Sequence, residues 1–185
     1  MPMVPLDTIK SEVEGWGISK EAFDRIFTPT SYYGEFNAAR LASHVENLHR
    51  IFDCLGMCSC WGIYQLAGPT NMAELYSAAT GIDMDPLHLN KVGERVHNLY
   101  KVLNVREGFN RKDDAFPEIW LQPAKSPDGL QYLTDYYRVH QITRDDLHRL
   151  LDDYYDERGW SMAMGIPTEA KLIELGLQEM IADVQ

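Results

Sequence analysis

LASHVENLHRIFDCLGMC, residues 41–58, is the stretch on which the fold turns. Its apolar positions Leu41, Val45, Leu48, Phe52 and Leu55 step by four, three, four and three, the spacing that lays one apolar stripe along an α-helix. That helix runs into Asp53-Cys54-Leu55-Gly56-Met57-Cys58, and Ser59-Cys60 follows at once. All three cysteines of the 185-residue chain therefore fall in one seven-residue window. Thiolates are the ligands that iron–sulfur clusters and zinc demand, and a glycine lets backbone come close to a bulky cofactor. Three cysteines without a C-x-x-C partner make half of such a site.

Outward from this segment the helical spacing continues. Val92, Val96, Leu99, Tyr100 and Leu103 predict a second long helix, opened by Asp85-Pro86 as cap and first-turn residue and closed near Gly108. Thr143 announces a third, with Asp145 and Asp146 on the positive end of its dipole, Leu147, Leu150, Leu151, Tyr154 and Tyr155 as its stripe, and Gly159 as its end. A last short helix follows Pro167-Thr168 through Leu172 and Leu175 to Gly176, and shorter ones are expected over 8–14, 19–27 and 70–79. Between 110 and 128 the pattern breaks at Arg111-Lys112-Asp113-Asp114 and then at Pro117, Pro123 and Pro127, with Trp120 among them. A connection of that length is often functional or wraps a neighbour. The sequence thus predicts an all-α, multihelical, bundle-like unit over 31–185 with a long proline-containing loop. Residues 1–30 are expected to form a loosely attached helical segment.

Composition narrows the function. A formal net charge of -11 repels phosphate backbones and anionic lipid, so neither nucleic acid nor a membrane is expected as a partner. Charges interrupt every apolar stretch short of a membrane span, which predicts a soluble chain. The odd number of thiols and the start Met1-Pro2-Met3-Val4-Pro5, which does not read as a leader, suggest a reducing, cytoplasmic setting. There is no G-x-G-x-x-G, no P-loop and no G-x-S-x-G.

Three readings of the cysteines stay open: ligands to a cofactor, small buried hydrophobes, or a zinc site recruiting His44 or His49. The six histidines, at 44, 49, 88, 97, 140 and 148, read as exposed on helix faces. Glu107, Asp113 and Asp114 become acid–base groups only through an environment that sequence does not display; a charged turn pinned by its own Arg–Asp pairs is the expectation. Tyr32-Tyr33, Tyr136-Tyr137 and Tyr154-Tyr155 read as core packing with one hydroxyl of each pair at the surface.

Taken in order, several segments resemble the C-terminal part of the tungsten-containing aldehyde ferredoxin oxidoreductase family. Asp53-Cys54-Leu55-Gly56-Met57-Cys58 is similar to its D-x-x-G-L-C motif, with Met57 in place of leucine. Asn104-Val105-Arg106-Glu107-Gly108-Phe109, continuing to Arg111-Lys112-Asp113-Asp114, resembles its N-x-R-E-G-F-x-R-x-D-D stretch. Tyr154 to Trp160, Gly165-Ile166-Pro167-Thr168 and Leu172 to Leu177 follow in the family's order.

The resemblance implies an all-helical C-terminal domain over 31–185 of a tungstopterin, iron–sulfur oxidoreductase. Such an enzyme oxidises aldehydes to carboxylates with ferredoxin as acceptor, using a 4Fe-4S cluster and a tungsten or molybdenum bis-pterin. It places Cys58 as the fourth cluster ligand, Asp53 as the acid that hydrogen-bonds a pterin, and Leu55, Gly56 and Met57 as backbone against the cofactor. The Arg106-to-Asp114 segment is implied to lie near the cofactor or substrate channel, with no role attached.

The family's C-x-x-C-x-x-x-C motif is absent. The implied partner is therefore the missing cofactor-binding domains or subunit, and the chain is expected to hold no cofactor and to be inactive alone. No residue is expected to be catalytic. A different reading is a stand-alone, non-catalytic helical module that binds a protein partner, in which case Leu55, Met57 and Trp61 would form an apolar patch.

Overall fold

Five of the seven α-helices among the described residues open on a capping side chain. In the computed structural model, which describes residues 3–58 and 68–185, α1 spans Leu6–Glu14 and α2 Lys20–Ile26. The long α3, Ala38–Cys54, is capped by Asn37, whose side chain accepts from the amides of Ala39 and Arg40. α4 covers Pro69–Thr80. α5, Pro86–Arg106, starts at Asp85, which accepts from the His88 amide. α6, Arg144–Arg158, opens on a full capping box between Thr143 and Asp146. α7, Glu169–Glu174, starts at Thr168, and a 3₁₀ turn over Gln178–Asp183 follows. The fold is mostly helical, as the periodicity predicts.

The proline-containing stretch carries more order than a bare loop. It holds two 3₁₀ turns, Arg111–Asp113 and Glu118–Leu121, and a small hairpin of β1, Ala124–Ser126, against β2, Gly129–Gln131. Neither three-residue strand shows an alternating pattern, so periodicity could not announce them.

The packing centre is the antiparallel pair α3 and α5. Leu48, Ile51 and Phe52 of α3 meet Leu89 of α5 and Met72 and Ala73 of α4. At Gly93 of α5 the two long helices are so close that a Cβ would run into the Asn47 carbonyl. A second cluster gathers Val13, Ile26, Phe27 and Phe36, and a third Val102, Leu172, Leu175 and Leu177. The α3 stripe is buried at Leu48 and Phe52, half-buried at Leu41 and Val45, and exposed by its last member, Leu55.

The stripe predicted for α5 is misplaced. Val92, Val96 and Leu99 are only half-buried, Tyr100 and Leu103 are exposed, and the buried face passes through Leu89, Asn90, Gly93, Asn98, Lys101 and Val102. Polar side chains occupy that face because other elements supply their partners, and apolar spacing cannot report this.

Candidate functional site

The cysteine-bearing turn is built by the end of α3. Cys54 is the last helical residue, and Gly56 takes the left-handed φ of +67°. The chain then closes with the Met57 amide donating back to the Phe52 carbonyl at 2.9 Å, the six-to-one bond of a Schellman ending. Gly159 and Trp160 end α6 in the same way. The turn leaves Asp53, Cys54, Gly56 and Cys58 exposed, while Met57 folds back onto the Leu48–Phe52 cluster. Open space lies where a Gly56 Cβ would point. Neither Cys54 nor Cys58 is a buried small hydrophobe, and Cys60 and Trp61 lie outside the described residues.

Asp53 is held by its own helix. Arg50 Nη1 donates to Asp53 Oδ2 at 2.7 Å, and the guanidinium lies over the Tyr100 ring, 4.8 Å from its centroid. Glu46, Arg50 and Asp53 line one stripe of α3, four and three residues apart.

Behind this stripe sits a buried polar network that sequence reading did not find. Arg158, 1% exposed, donates to Asn47 Oδ1 at 2.6 Å, to the Ser43 carbonyl at 2.7 Å and to Glu46 Oε2 at 2.6 Å. The Tyr154 hydroxyl donates to Glu46 at 2.7 Å and lies 3.3 Å from His97 Nε2. His97 is therefore no exposed helix-face histidine. Burial first, then the charges of Arg158, Arg50 and Lys101, hold its imidazole down to about 3, so it is neutral. The ring stacks on Trp160 at 6.0 Å, whose indole N–H donates to Asn98. Burial also pushes the Tyr154 phenol above its ordinary range.

The Arg111-to-Asp114 segment is likewise not pinned internally. Asp113 accepts from the Asn110 amide, Arg111 pairs with Asp152 of α6 at 2.6 Å, and Asp114 accepts from Lys101 Nζ at 3.0 Å and from the Tyr155 hydroxyl at 2.6 Å. Asp114, Ala115 and Phe116 form a partition. On one side lies a cleft of about 530 Å³ bounded by His97, Lys101, Trp120, Tyr154, Tyr155 and Trp160. On the other, Arg111, Arg144 and His148 border a cleft of about 460 Å³. Both hydroxyls of the Tyr154-Tyr155 pair point inward, against the expectation of one at the surface.

His44, which with His49 is one of the two histidines a zinc site could recruit, bonds Glu157 Oε1 through Nε2 at 3.1 Å. Arg25 and Arg40 bind the same carboxylate, whose side chain is 2% exposed. Burial would raise the Glu157 pKa, but the hydrogen bonds from His44 and Arg25 prevail and hold it down to about 2. Among the described residues no three His, Cys, Asp or Glu side chains gather as a metal site. Among the described residues no helix is long and apolar enough to cross a membrane.

Known proteins provide a frame for this geometry. Residues 7–177 match the family model for aldehyde ferredoxin oxidoreductase, domains 2 and 3. The chain is 30% identical over 139 residues to a tungsten-containing aldehyde ferredoxin oxidoreductase of Pyrococcus horikoshii, covering 74% of this chain and 20% of that protein. It is 30% identical over 137 residues to the protein of the same name from Pyrococcus furiosus, again covering 20% of the relative. The chain thus spans about a fifth of the length of these relatives. Among solved structures, the active site complex BamBC of benzoyl coenzyme A reductase, in complex with 1,5-dienoyl-CoA, superposes with a TM-score of 0.63. The identity is 26%, over 98% of this chain and 27% of that one.

Proposed function

Since the chain belongs to the aldehyde ferredoxin oxidoreductase family, we propose that it supplies the cofactor-facing turn and helical walls of a tungstopterin oxidoreductase. In this reading Cys58 gives a thiolate to a 4Fe-4S cluster whose other ligands come from polypeptide beyond this sequence. Asp53 accepts hydrogen bonds from the donors of a pterin, and Leu55 to Met57 lay backbone against the cofactor. The bound metal and cluster would supply the redox chemistry, tungsten or molybdenum taking two electrons and the cluster passing them singly to ferredoxin. An aldehyde and water would yield a carboxylate, three protons and the two electrons.

One observation supports this most. The turn at Gly56 offers Asp53, a bare glycine edge and Cys58 together on an exposed helix end, with no side chain filling the space before the glycine. Arg50 engages Oδ2 of Asp53, and among the described residues no donor is seen at the other oxygen. The residues present therefore fit one edge of a pterin and one corner of a cluster. The partner in this reading is the cofactor-binding part of such an enzyme.

Co-expression with a family cofactor-binding part tests it, measuring iron, tungsten and aldehyde-dependent dye reduction with and without Cys58→Ala. The expected result is loss of cluster iron in the alanine variant. Full iron and full activity in that variant would remove Cys58 from the cluster. A complex that forms but binds no metal would favour a partner-binding module.

A further inference from the structure

We infer that Arg50 is a positioning residue for Asp53: held against the Tyr100 ring, it keeps the carboxylate at the cysteine-bearing turn in one pose, set to accept from a pterin's donors. This rests on the role proposed above for Asp53.

Helix spacing alone would send Arg50 elsewhere. Glu46 lies four residues before it on the same stripe of α3, and an acid one turn ahead of a base is the favoured ion pair on a helix surface. The structure breaks that pairing. Glu46 Oε2 is taken by Arg158 at 2.6 Å and by the Tyr154 hydroxyl at 2.7 Å, both reaching across from α6. Arg50 turns the other way, donates from Nη1 to Asp53 Oδ2 at 2.7 Å, and among the described residues makes its only ion pair there. The buried network thus decides which acid the arginine serves.

The guanidinium is then fixed from its flat side. Its carbon lies 4.8 Å from the Tyr100 ring centroid, within cation–π range. Nε is buried with no hydrogen-bond partner among the described residues, a cost that a rotamer chosen for its own donors would avoid. Tyr100 and Asp53 together therefore set the pose.

What Asp53 gains is order. Its side chain is 48% exposed in the last turn of α3, where a short acid would otherwise turn about its Cα–Cβ bond. An ionised carboxylate offers about four acceptor positions, and Arg50 takes one of them at Oδ2. A side chain ordered in advance spares a ligand that entropy on binding. A partly exposed pair of this kind adds little to stability, so its loss should leave the fold in place.

In the free 185-residue chain, three-bond NMR couplings about the Asp53 Cα–Cβ bond test the pose without any cofactor. One rotamer is expected in the unmodified chain, and rotamer averaging in Arg50→Met and in Tyr100→Ala. Arg50→Lys, which keeps a charged donor over the ring, should retain part of the order. In the complex co-expressed with a family cofactor-binding part, fluorescence of released pterin gives the second readout. Arg50→Met is expected to lose pterin about fivefold faster than the unmodified complex, and Asp53→Ala faster still.

Unchanged Asp53 couplings in a folded Arg50→Met variant would overturn the inference. So would unchanged pterin release from that variant while Asp53→Ala releases it faster, a result that leaves the role of Asp53 standing. Unchanged release from Asp53→Ala, or a complex that holds no pterin, would overturn the role of Asp53 and this inference with it. Should Arg50→Met fail to fold, Tyr100→Ala, at an exposed position, decides by the same two readouts.

Discussion

Arg158 shows how much a single side chain holds here. It sits at the end of α6, yet its guanidinium satisfies a carbonyl, an amide and a carboxylate of α3. Asn47, freed at Oδ1 only by losing that donor, also passes a hydrogen bond to Asn90, which donates in turn to the Gly17 carbonyl. Truncation would strand acceptors at three residues of α3. Arg158→Ala is expected to lower stability by about 3–5 kcal/mol in urea unfolding. Arg158→Lys should recover only part of it, because a point charge cannot serve three acceptors in a fixed fork. A change below about 1 kcal/mol would mean that water replaces the guanidinium. None of this was legible in the residue's type or position, since a last-turn arginine is as well suited to a solvated helix end.

At the scale of elements, two glycines have opposite reasons for being glycine. Gly56 needs a backbone conformation and has space to spare. Gly56→Ala should cost about 1–2 kcal/mol, the strain of a side chain in the left-handed region, with the fold retained. Gly93 has ordinary helical backbone and no space: its Cβ would meet the Asn47 carbonyl and carbon. Replacing a mid-helix glycine by alanine normally gains about 1 kcal/mol. Gly93→Ala is expected to lose about 1–3 kcal/mol instead, because α3 and α5 must part to admit the methyl. Thermal unfolding of the two variants checks both signs. The helix ends were readable because caps and glycines act locally. The face that α5 buries was not, because Asn98 and Lys101 answer to Trp160 and Asp114, far along the chain.

Across the whole molecule, acid sensitivity should arrive in two stages. His97 is held down to about 3 from an ordinary 6.5, so as pH falls the unfolded chain takes that proton first. Its contribution is complete above about 6.5 and is lost toward 3, at about 1.4 kcal/mol per pH unit. Glu157 is held down to about 2 from 4.5. Its contribution is present above 4.5 and is lost as pH falls to 2, so a second proton steepens the decline there. Urea unfolding across this range should show the slope increase below 4.5. His97→Gln is expected to flatten the upper stage and Glu157→Gln the lower one; unaltered slopes would exclude these two groups as its cause.

The cysteine-bearing turn, proposed above to face a cofactor, could be singled out because Asp53, Gly56 and Cys58 lie within six residues of sequence. The cleft could not, because Lys101, Asp114 and Trp160 meet only after α5, the proline-containing stretch and the end of α6 have packed together. The notch at Gly93 lies between these two regions along α3. It meets α3 at Asn47, six residues from Asp53 and five from Ala42, an α3 residue of the cleft wall, which makes it a fulcrum with arms of about 9 and 8 Å. A rocking of α3 by about 6° on that pivot moves each end by about 1 Å, in opposite directions, for a helix of standard rise. Any tilt of the cysteine-bearing end would swing Ala42 the other way, so the gape of the cleft would follow the attitude of the far end of the lever.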